Sequence, residues 1–303
     1  MEWDEFVEIK LKENKIYFLR DELIKNYTTL KIGGKAKYII EVESIEDIEI
    51  VLDLVNQHEI PYLLLGNGSN VLVDDLGFDG IVMVLSKRFN KVYVEEDELV
   101  CDAGANLKRV CEIALENSLT GLEFAYGIPG SIGGAVYMNA GAFDGEIKDV
   151  VTEVYYIDKR GIITRELCKQ EDFSYRKSKF MNRDGCILQA RFKLAKGVQT
   201  QIKSKMDDLM TRRISKQPLE YPSAGSVFVR PTGNYASALI EQCGLKGKQI
   251  GGAMVSTKHA GFLVNYDNAT YEEFTALIYH VQKEVAEQTG YSLECEIKII
   301  KKE

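Results

Sequence analysis

The apolar positions of this chain recur with two periods, and the switches between them outline its elements. Ile45, Ile48, Val51, Leu52 and Val55 share one face of a 3.6-residue repeat, which predicts a helix. Ser44 precedes it and Asp47 stands three residues on, the pattern of a capping box. After Pro61, the run Tyr62-Leu63-Leu64-Leu65 reads as a short buried strand and Val71-Leu72-Val73 as a second. Asn106 is placed to cap another helix, with Leu107, Val110, Cys111, Ala114 and Leu115 inward. Residues 150–157 and 162–166, joined by Asp158-Lys159-Arg160-Gly161, predict a hairpin. Leu188, Ala190, Phe192 and Leu194 alternate as on a half-buried strand.

Further on, Ile202, Met206, Leu209, Met210 and Ile214 predict a helix over 200–215, its methionines serving as core. Residues 216–222 carry Pro218 and Pro222 and read as a linker. A helix near 235–243 and a strand near 260–266 follow. Thr270 with Glu273 then caps a helix that buries Phe274, Leu277, Ile278, Val281 and Val285, leaving His280 solvated. Residues 293–300 read as one strand, with Leu293, Cys295, Ile297 and Ile299 on one face and Glu294, Glu296 and Lys298 on the other. Helices and strands do not alternate regularly, so the fold class is α+β rather than a doubly wound parallel sheet.

Composition narrows the function. With 303 residues, 45% hydrophobic and 28% charged, the chain has the balance of a folded protein of two or three domains. A net charge of −8 disfavours binding to a nucleic-acid backbone, though not a local pocket for one small anion. No apolar run reaches the roughly 18–20 residues that span a bilayer, and the first residues do not read as a targeting segment, so a cytoplasmic protein without membrane insertion is expected. The six cysteines are dispersed with no C-x-x-C, as reduced thiols would be, and the three histidines have no metal-ligand spacing; no metal is expected.

Two glycine-rich stretches follow apolar strands: L-G-N-G-S-N-V-L-V (65–73) and G-I-P-G-S-I-G-G-A-V-Y-M-N-A-G-A (127–142). Glycine lets backbone N–H groups approach an anion, and Asn and Ser add donors. Neither stretch is a P-loop or a Rossmann fingerprint. On residue types alone the first serves equally as a tight turn; the density of glycine in the second points to close backbone approach to a ligand, with turns and close helix packing at Gly133-Gly134 as the alternative.

These two loops, together with Y-T-T-L-K-I-G-G (27–34), Y-R-K-S-K-F (175–180), P-S-A-G-S-V-F (222–228) and L-E-C-E-I-K-I-I (293–300), resemble the UDP-N-acetylenolpyruvoylglucosamine reductase family over essentially the whole chain. The resemblance implies a vanillyl-alcohol-oxidase-like FAD-binding fold with a C-terminal α+β substrate domain. It implies FAD-binding subdomains over 1–85 (joined by 293–303) and 86–200, with a substrate-binding domain over 201–292. Non-covalent FAD is then expected on Gly66, Asn67, Gly68, Ser69 and Asn70, on Gly130, Ser131, Gly133, Gly134, Asn139, Ala140 and Gly141, and on Tyr27, Thr28 and Thr29.

The implied reaction takes hydride from NADPH through FAD to the enolpyruvyl β-carbon of UDP-N-acetylglucosamine enolpyruvate, for peptidoglycan synthesis. Arg176 would then hold the substrate carboxylate, Ser226 would protonate the α-carbon, and Glu296 would polarise or position. Outside the resemblance, Arg176 reads first as a residue of a basic surface turn and Ser226 as a turn cap. Strand geometry does not separate Glu296 from Glu294. Arg212 and Lys216, one helical turn apart, could reach a substrate diphosphate or form a solvated face. Cys295 replaces the family's usual proline and Ser223 its usual asparagine, and the chain resembles the shorter subtype without the inserted tyrosine loop. Another FAD oxidoreductase of the superfamily would usually carry a covalent-flavin His or Cys in the first loop, which is absent here. A non-catalytic nucleotide-sugar binding protein would have no need of Arg176, Ser226 and Glu296 together.

Overall fold

The structure is a computed structural model and describes residues 3–85 and 87–302. Seven helices are used below: α1 (Trp3–Glu13), α2 (Ile45–His58), α3 (Leu107–Glu116), α4 (Ile132–Tyr137), α5 (Gln199–Lys216), α6 (Ala236–Gln242) and α7 (Tyr271–Thr289). The chain gathers into two compact units. One takes the chain up to Asp21, Lys37–Asn67 and Gly80–Thr211; the other takes Glu22–Ala36, Gly68–Asp79 and the chain from Arg212 onward.

The first unit holds a five-stranded antiparallel sheet in the order Ile163–Leu167, Val151–Asp158, Gly185–Lys193, Glu98–Asp102, Val92–Glu95. The expected hairpin supplies its first two strands, and the Asp158 carboxylate accepts from the N–H groups of Arg160 and Ile162 to close the turn. A four-stranded sheet runs Tyr17–Leu23, Lys35–Glu41, Phe78–Val84, Tyr62–Leu65, the last two parallel. Of Tyr62–Leu65 only Leu65 is fully buried, so this strand is less enclosed than its composition suggested. Helices α2 and α3 bury the predicted faces, and Asn106 accepts from the N–H groups of Lys108 and Arg109. Ser44 caps α2 as predicted, but the Asp47 carboxylate reaches Glu43 N–H rather than Ser44 N–H.

Helix α5 departs from its predicted face. Ile202, Met206 and Leu209 are buried, yet Ile214 is 53% exposed and Arg213 is 5% exposed. At 100° per residue, position 213 continues the stripe of 202, 206 and 209, whereas 214 lies a quarter-turn off it. The apolar residue follows composition and the buried one follows phase.

In the second unit, Ser223–Ser226, Phe262–Asn265, Ala253–Val255 and Gln249–Ile250 form an antiparallel sheet. Helix α7 buries Phe274, Leu277, Ile278, Val281 and Val285; His280 is half-buried rather than solvated. The predicted strand over 293–300 is divided. Phe228 and Cys295 form an isolated bridge, and only Lys298–Ile300 is a strand, parallel to Val71–Val73. A segment that changes partners midway cannot keep a strict two-residue alternation, and Ile299 is 40% exposed.

The capping box at the start of α7 is complete. Thr270 Oγ1 accepts from Glu273 N–H, and Glu273 Oε2 accepts from the N–H groups of Thr270 and Gly252. Those backbone bonds, from Thr270 and then Gly252, hold the Glu273 carboxyl below its ordinary value of 4.5. Thr270→Ala should therefore cost about 1 kcal/mol of stability in denaturant titration. Glu273 contributes stability above the ordinary carboxylate value, lost as pH falls through its lowered one. Glu273→Gln should flatten that acid limb of the stability–pH curve.

Candidate active site

The first glycine loop leaves the strand Tyr62–Leu65 and crosses between the two units at Asn67 and Gly68. In the first unit, a Cβ on Gly66 would stand 2.0 Å from Ser131 Oγ, and Asn67 Nδ2 donates to the Pro129 carbonyl at 3.3 Å. The second glycine stretch is fastened from behind by residues 103–107. Gly133 N–H donates to Ala103 O at 2.7 Å, Ile132 N–H to Ala105 O at 2.9 Å, and Leu107 N–H to Gly130 O at 3.0 Å. Gly133 is there for close packing: a Cβ would lie 2.9 Å from the Ala103 Cβ. Ser131 caps α4 through Gly134 N–H at 3.4 Å.

With these bonds assigned, the N–H groups of Asn67, Gly68, Ser69, Gly130 and Ser131 meet no acceptor among the described residues. Gly68, Gly130 and Ser131 are buried residues. Buried backbone donors are almost always paired, so the orphans at each glycine turn fit an anionic ligand that supplies the acceptors. Gly130 leaves space as well: a Cβ there would meet only Ile128 Cγ2, at 3.8 Å. These residues fit the diphosphate of a dinucleotide.

Not every expected cofactor residue offers its side chain. Thr28 is 2% exposed, its hydroxyl accepting from Lys31 N–H at 3.2 Å. Thr29 Oγ1 donates to Ser223 O at 2.6 Å, while its N–H donates to Gly68 O at 3.1 Å. Asn139 is fully buried, its side-chain amide committed within the protein and its N–H donated to Val136 O at 3.2 Å, so it supports the loop rather than facing a ligand. Ala140 and Gly141 border the small antiparallel pair of Gly141–Ala142 with Gly145–Glu146.

Arg176 stands in the two-residue turn between Phe173–Ser174 and Lys177–Ser178. Its φ of +57° is left-handed, a conformation that costs a non-glycine residue about 1–2 kcal/mol. The guanidinium lies over the Tyr175 ring at 5.0 Å, and one Nη2–H donates to Gly141 O at 3.0 Å.

Ser226 and Glu296 are brought together within the second unit. Ser223 pairs with Val264 and Ser226 with Phe262, so three steps along one strand face two along the other. The resulting bulge, with Gly225 at φ +78°, re-aims Ser226. Its half-buried hydroxyl has no hydrogen-bond partner among the described residues. Glu296 N–H donates to Val227 O at 2.7 Å, and Asn70 Nδ2 donates to Glu296 O at 3.2 Å. Lys298 N–H then donates to Asn70 O at 3.0 Å. The acid is thus pinned between the residue after Ser226 and the last residue of the first glycine loop. Glu294 is exposed and Glu296 half-buried, a difference that period-two geometry did not provide. Arg212 and Lys216 are exposed on the last turns of α5.

Sequence reasoning passed over Ala103, Ala105, Thr29 as a tie to Ser223, and Asn139 as a clamp. The only hint of the first two was the small-residue run Ala103-Gly104-Ala105. The others are polar groups whose partners lie far along the chain.

Residues 217–300 match the C-terminal domain of UDP-N-acetylenolpyruvoylglucosamine reductase, and residues 36–166 match an FAD binding domain. UDP-N-acetylenolpyruvoylglucosamine reductase 2 of Bacillus cereus is 50% identical over 282 residues, covering 93% of this chain and 92% of that protein. The chain belongs to the UDP-N-acetylenolpyruvoylglucosamine reductase family. The reductase of Oceanobacillus iheyensis is 47% identical, with 98% of this chain and 96% of that one covered. A solved structure of the reductase from Thermus caldophilus superposes with a TM-score of 0.79 at 33% identity, covering 94% of this chain and 98% of that one. The α+β architecture with an FAD-binding domain is therefore that of the reductase family.

A Cβ on Gly68 would stand 2.2 Å from Tyr27 O, at a φ of +58°. Gly68→Ala should therefore purify with most of its FAD absorbance lost. Gly161→Ala, also at positive φ (+80°) but with nothing within 4 Å, should keep its flavin and lose only about 1 kcal/mol of stability.

Proposed function

We propose that this chain reduces UDP-N-acetylglucosamine enolpyruvate to UDP-N-acetylmuramate for peptidoglycan synthesis, with NADPH as the hydride source. The observation that carries this reading is that each of the two glycine loops holds N–H groups unpaired among the described residues, in a chain that also presents Arg176, an unpartnered Ser226 hydroxyl and Glu296. We assign FAD to residues 27–29, 66–70 and the loop from Gly130 to Gly141, the buried Asn139 side chain supporting that loop rather than touching the cofactor. Bound FAD supplies the hydride that adds to the vinyl β-carbon of the substrate.

Hydride addition at the β-carbon leaves negative charge on the α-carbon and its carboxylate. Arg176 stabilises that charge with its planar, cationic fork. The Ser226 hydroxyl donates its proton to the α-carbon. A serine hydroxyl is a weak acid, but an enolate is basic enough to take its proton from an aligned donor. Glu296 orients the substrate carboxylate. Arg212 and Lys216, exposed on α5, are suited to the diphosphate of the nucleotide sugar.

We read 201–292 as the substrate-binding part, with 1–85 and 86–200 as the FAD-binding parts and 293–303 returning to the first. Six free cysteines fit work in the reducing cytoplasm on a soluble nucleotide sugar, with no part for nucleic acid. No described helix is long and apolar enough to cross a membrane.

Anaerobic stopped-flow separates the half-reactions. Ser226→Ala should leave bleaching of the flavin by NADPH near the native rate and slow its reoxidation by the enolpyruvyl substrate by about 10²–10⁴-fold. Equal loss in both phases would remove Ser226 as the proton donor. Arg176→Gly should also block reoxidation while leaving the melting temperature within a few degrees of the parent, because glycine relieves the left-handed backbone. Native turnover in that variant would take Arg176 out of the reaction.

A further inference from the structure

The turn that carries Arg176 is held from one short stretch. Residues 137, 139 and 141, alternate positions from the last residue of α4 onward, each grip one residue of the hairpin 173–178. The Tyr137 carbonyl accepts from Ser178 Oγ at 2.7 Å, Asn139 Nδ2 donates to Ser174 O at 3.0 Å, and Gly141 O accepts from Arg176 Nη2 at 3.0 Å. In these three bonds Asn139 grips through its side chain, whereas Tyr137 and Gly141 offer backbone carbonyls, and Asn139 is 0% exposed.

Its remaining capacity is spent on keeping that amide still. Nδ2 also donates to Glu146 Oε2 at 3.0 Å, and Oδ1 accepts from Lys148 N–H at 3.0 Å. Glu146 is in turn paired with the Lys148 ammonium at 2.9 Å. The residue adopts φ +43°, and Arg176 adopts φ +57°. Two left-handed non-glycine residues joined through one buried amide make a rigid unit that surrounding bonds must maintain. A fully satisfied buried polar network of this kind specifies a single geometry.

We propose that Asn139 is a positioning residue for Arg176: its buried amide clamps the Ser174 carbonyl and thereby sets the direction of the guanidinium at the substrate carboxylate. The role rests on the reading of Arg176 given above. Asn139 acts on substrate only through Arg176, and its side chain takes no part in holding FAD.

Asn139→Asp keeps the shape and the acceptor for Lys148 N–H but removes both donors, setting a carboxylate against Glu146 and the Ser174 carbonyl. Asn139→Gly accepts the left-handed backbone and serves as the second variant should the aspartate prevent folding. Two measurements are made on each, alone and combined with Arg176→Ala. The first is amide hydrogen exchange over 173–178 in the protein without substrate, which should rise in the Asn139 variants. The second is stopped-flow: NADPH-driven bleaching should remain near native, while reoxidation by substrate should slow by roughly 10²-fold, the scale of a displacement of about 1 Å. In the Arg176→Ala background the Asn139 substitution should add less than about twofold.

Unchanged exchange over 173–178 would overturn the clamp. So would a fully additive effect on top of Arg176→Ala, loss of FAD, or equal slowing of both half-reactions. If Arg176→Ala alone leaves reoxidation at the native rate, the reading of Arg176 fails whatever the exchange result, which separates that failure from failure of the clamp.

Discussion

Backbone donors that the protein itself does not satisfy are the constraint on which the site depends. At Asn67, Gly68, Ser69, Gly130 and Ser131 the N–H groups make no hydrogen bond among the described residues. Such an arrangement is stable only when something else accepts those bonds. It explains why glycine recurs there despite its entropic cost, and why the stretch 103–107 backs the second loop through three hydrogen bonds, two of them from the small residues Ala103 and Ala105. The residues around the loops then have a shared task, which is to keep the donors in place before a ligand arrives.

That task accounts for side chains that would otherwise look misplaced. Thr29 ties the carbonyl of Gly68 to that of Ser223, so the loop and the start of the Ser226 strand share one anchor. Asn70 ties the same loop to the backbone of Glu296 and Lys298. Neither bond involves a side chain proposed to react, yet both place the backbone beside Ser226 and Glu296. Preorganisation of this sort is how a fold turns binding geometry into rate.

What could be read from the sequence was what is local. The caps at Ser44, Asn106 and Thr270 and the stripes of α2, α3 and α7 each depend on residues within a few turns, and they formed as the spacing required. The motif residues Arg176, Ser226 and Glu296 could be named because whole segments resembled a family, not because periodicity singled them out. The exposure of Ile214 in place of Arg213 escaped a reading based on apolarity, since phase outweighed composition over the last turn of α5. The split of 293–300 escaped because its two partners, near 228 and near 72, are far away in sequence. The clamp at Asn139 escaped for the same reason: nothing within ten residues of it announces Ser174.

The bulge before Ser226 bears on how this segment can vary over evolutionary time. Its extra residue decides which face of the sheet the hydroxyl occupies, because side chains alternate strictly along a strand. Exchanges of side chain between Ser223 and Ser226 can be absorbed one at a time. A single-codon deletion there would turn the serine through to the opposite face with every chemical group still encoded. Descendants of this chain are therefore free to drift in composition along that stretch but not in length.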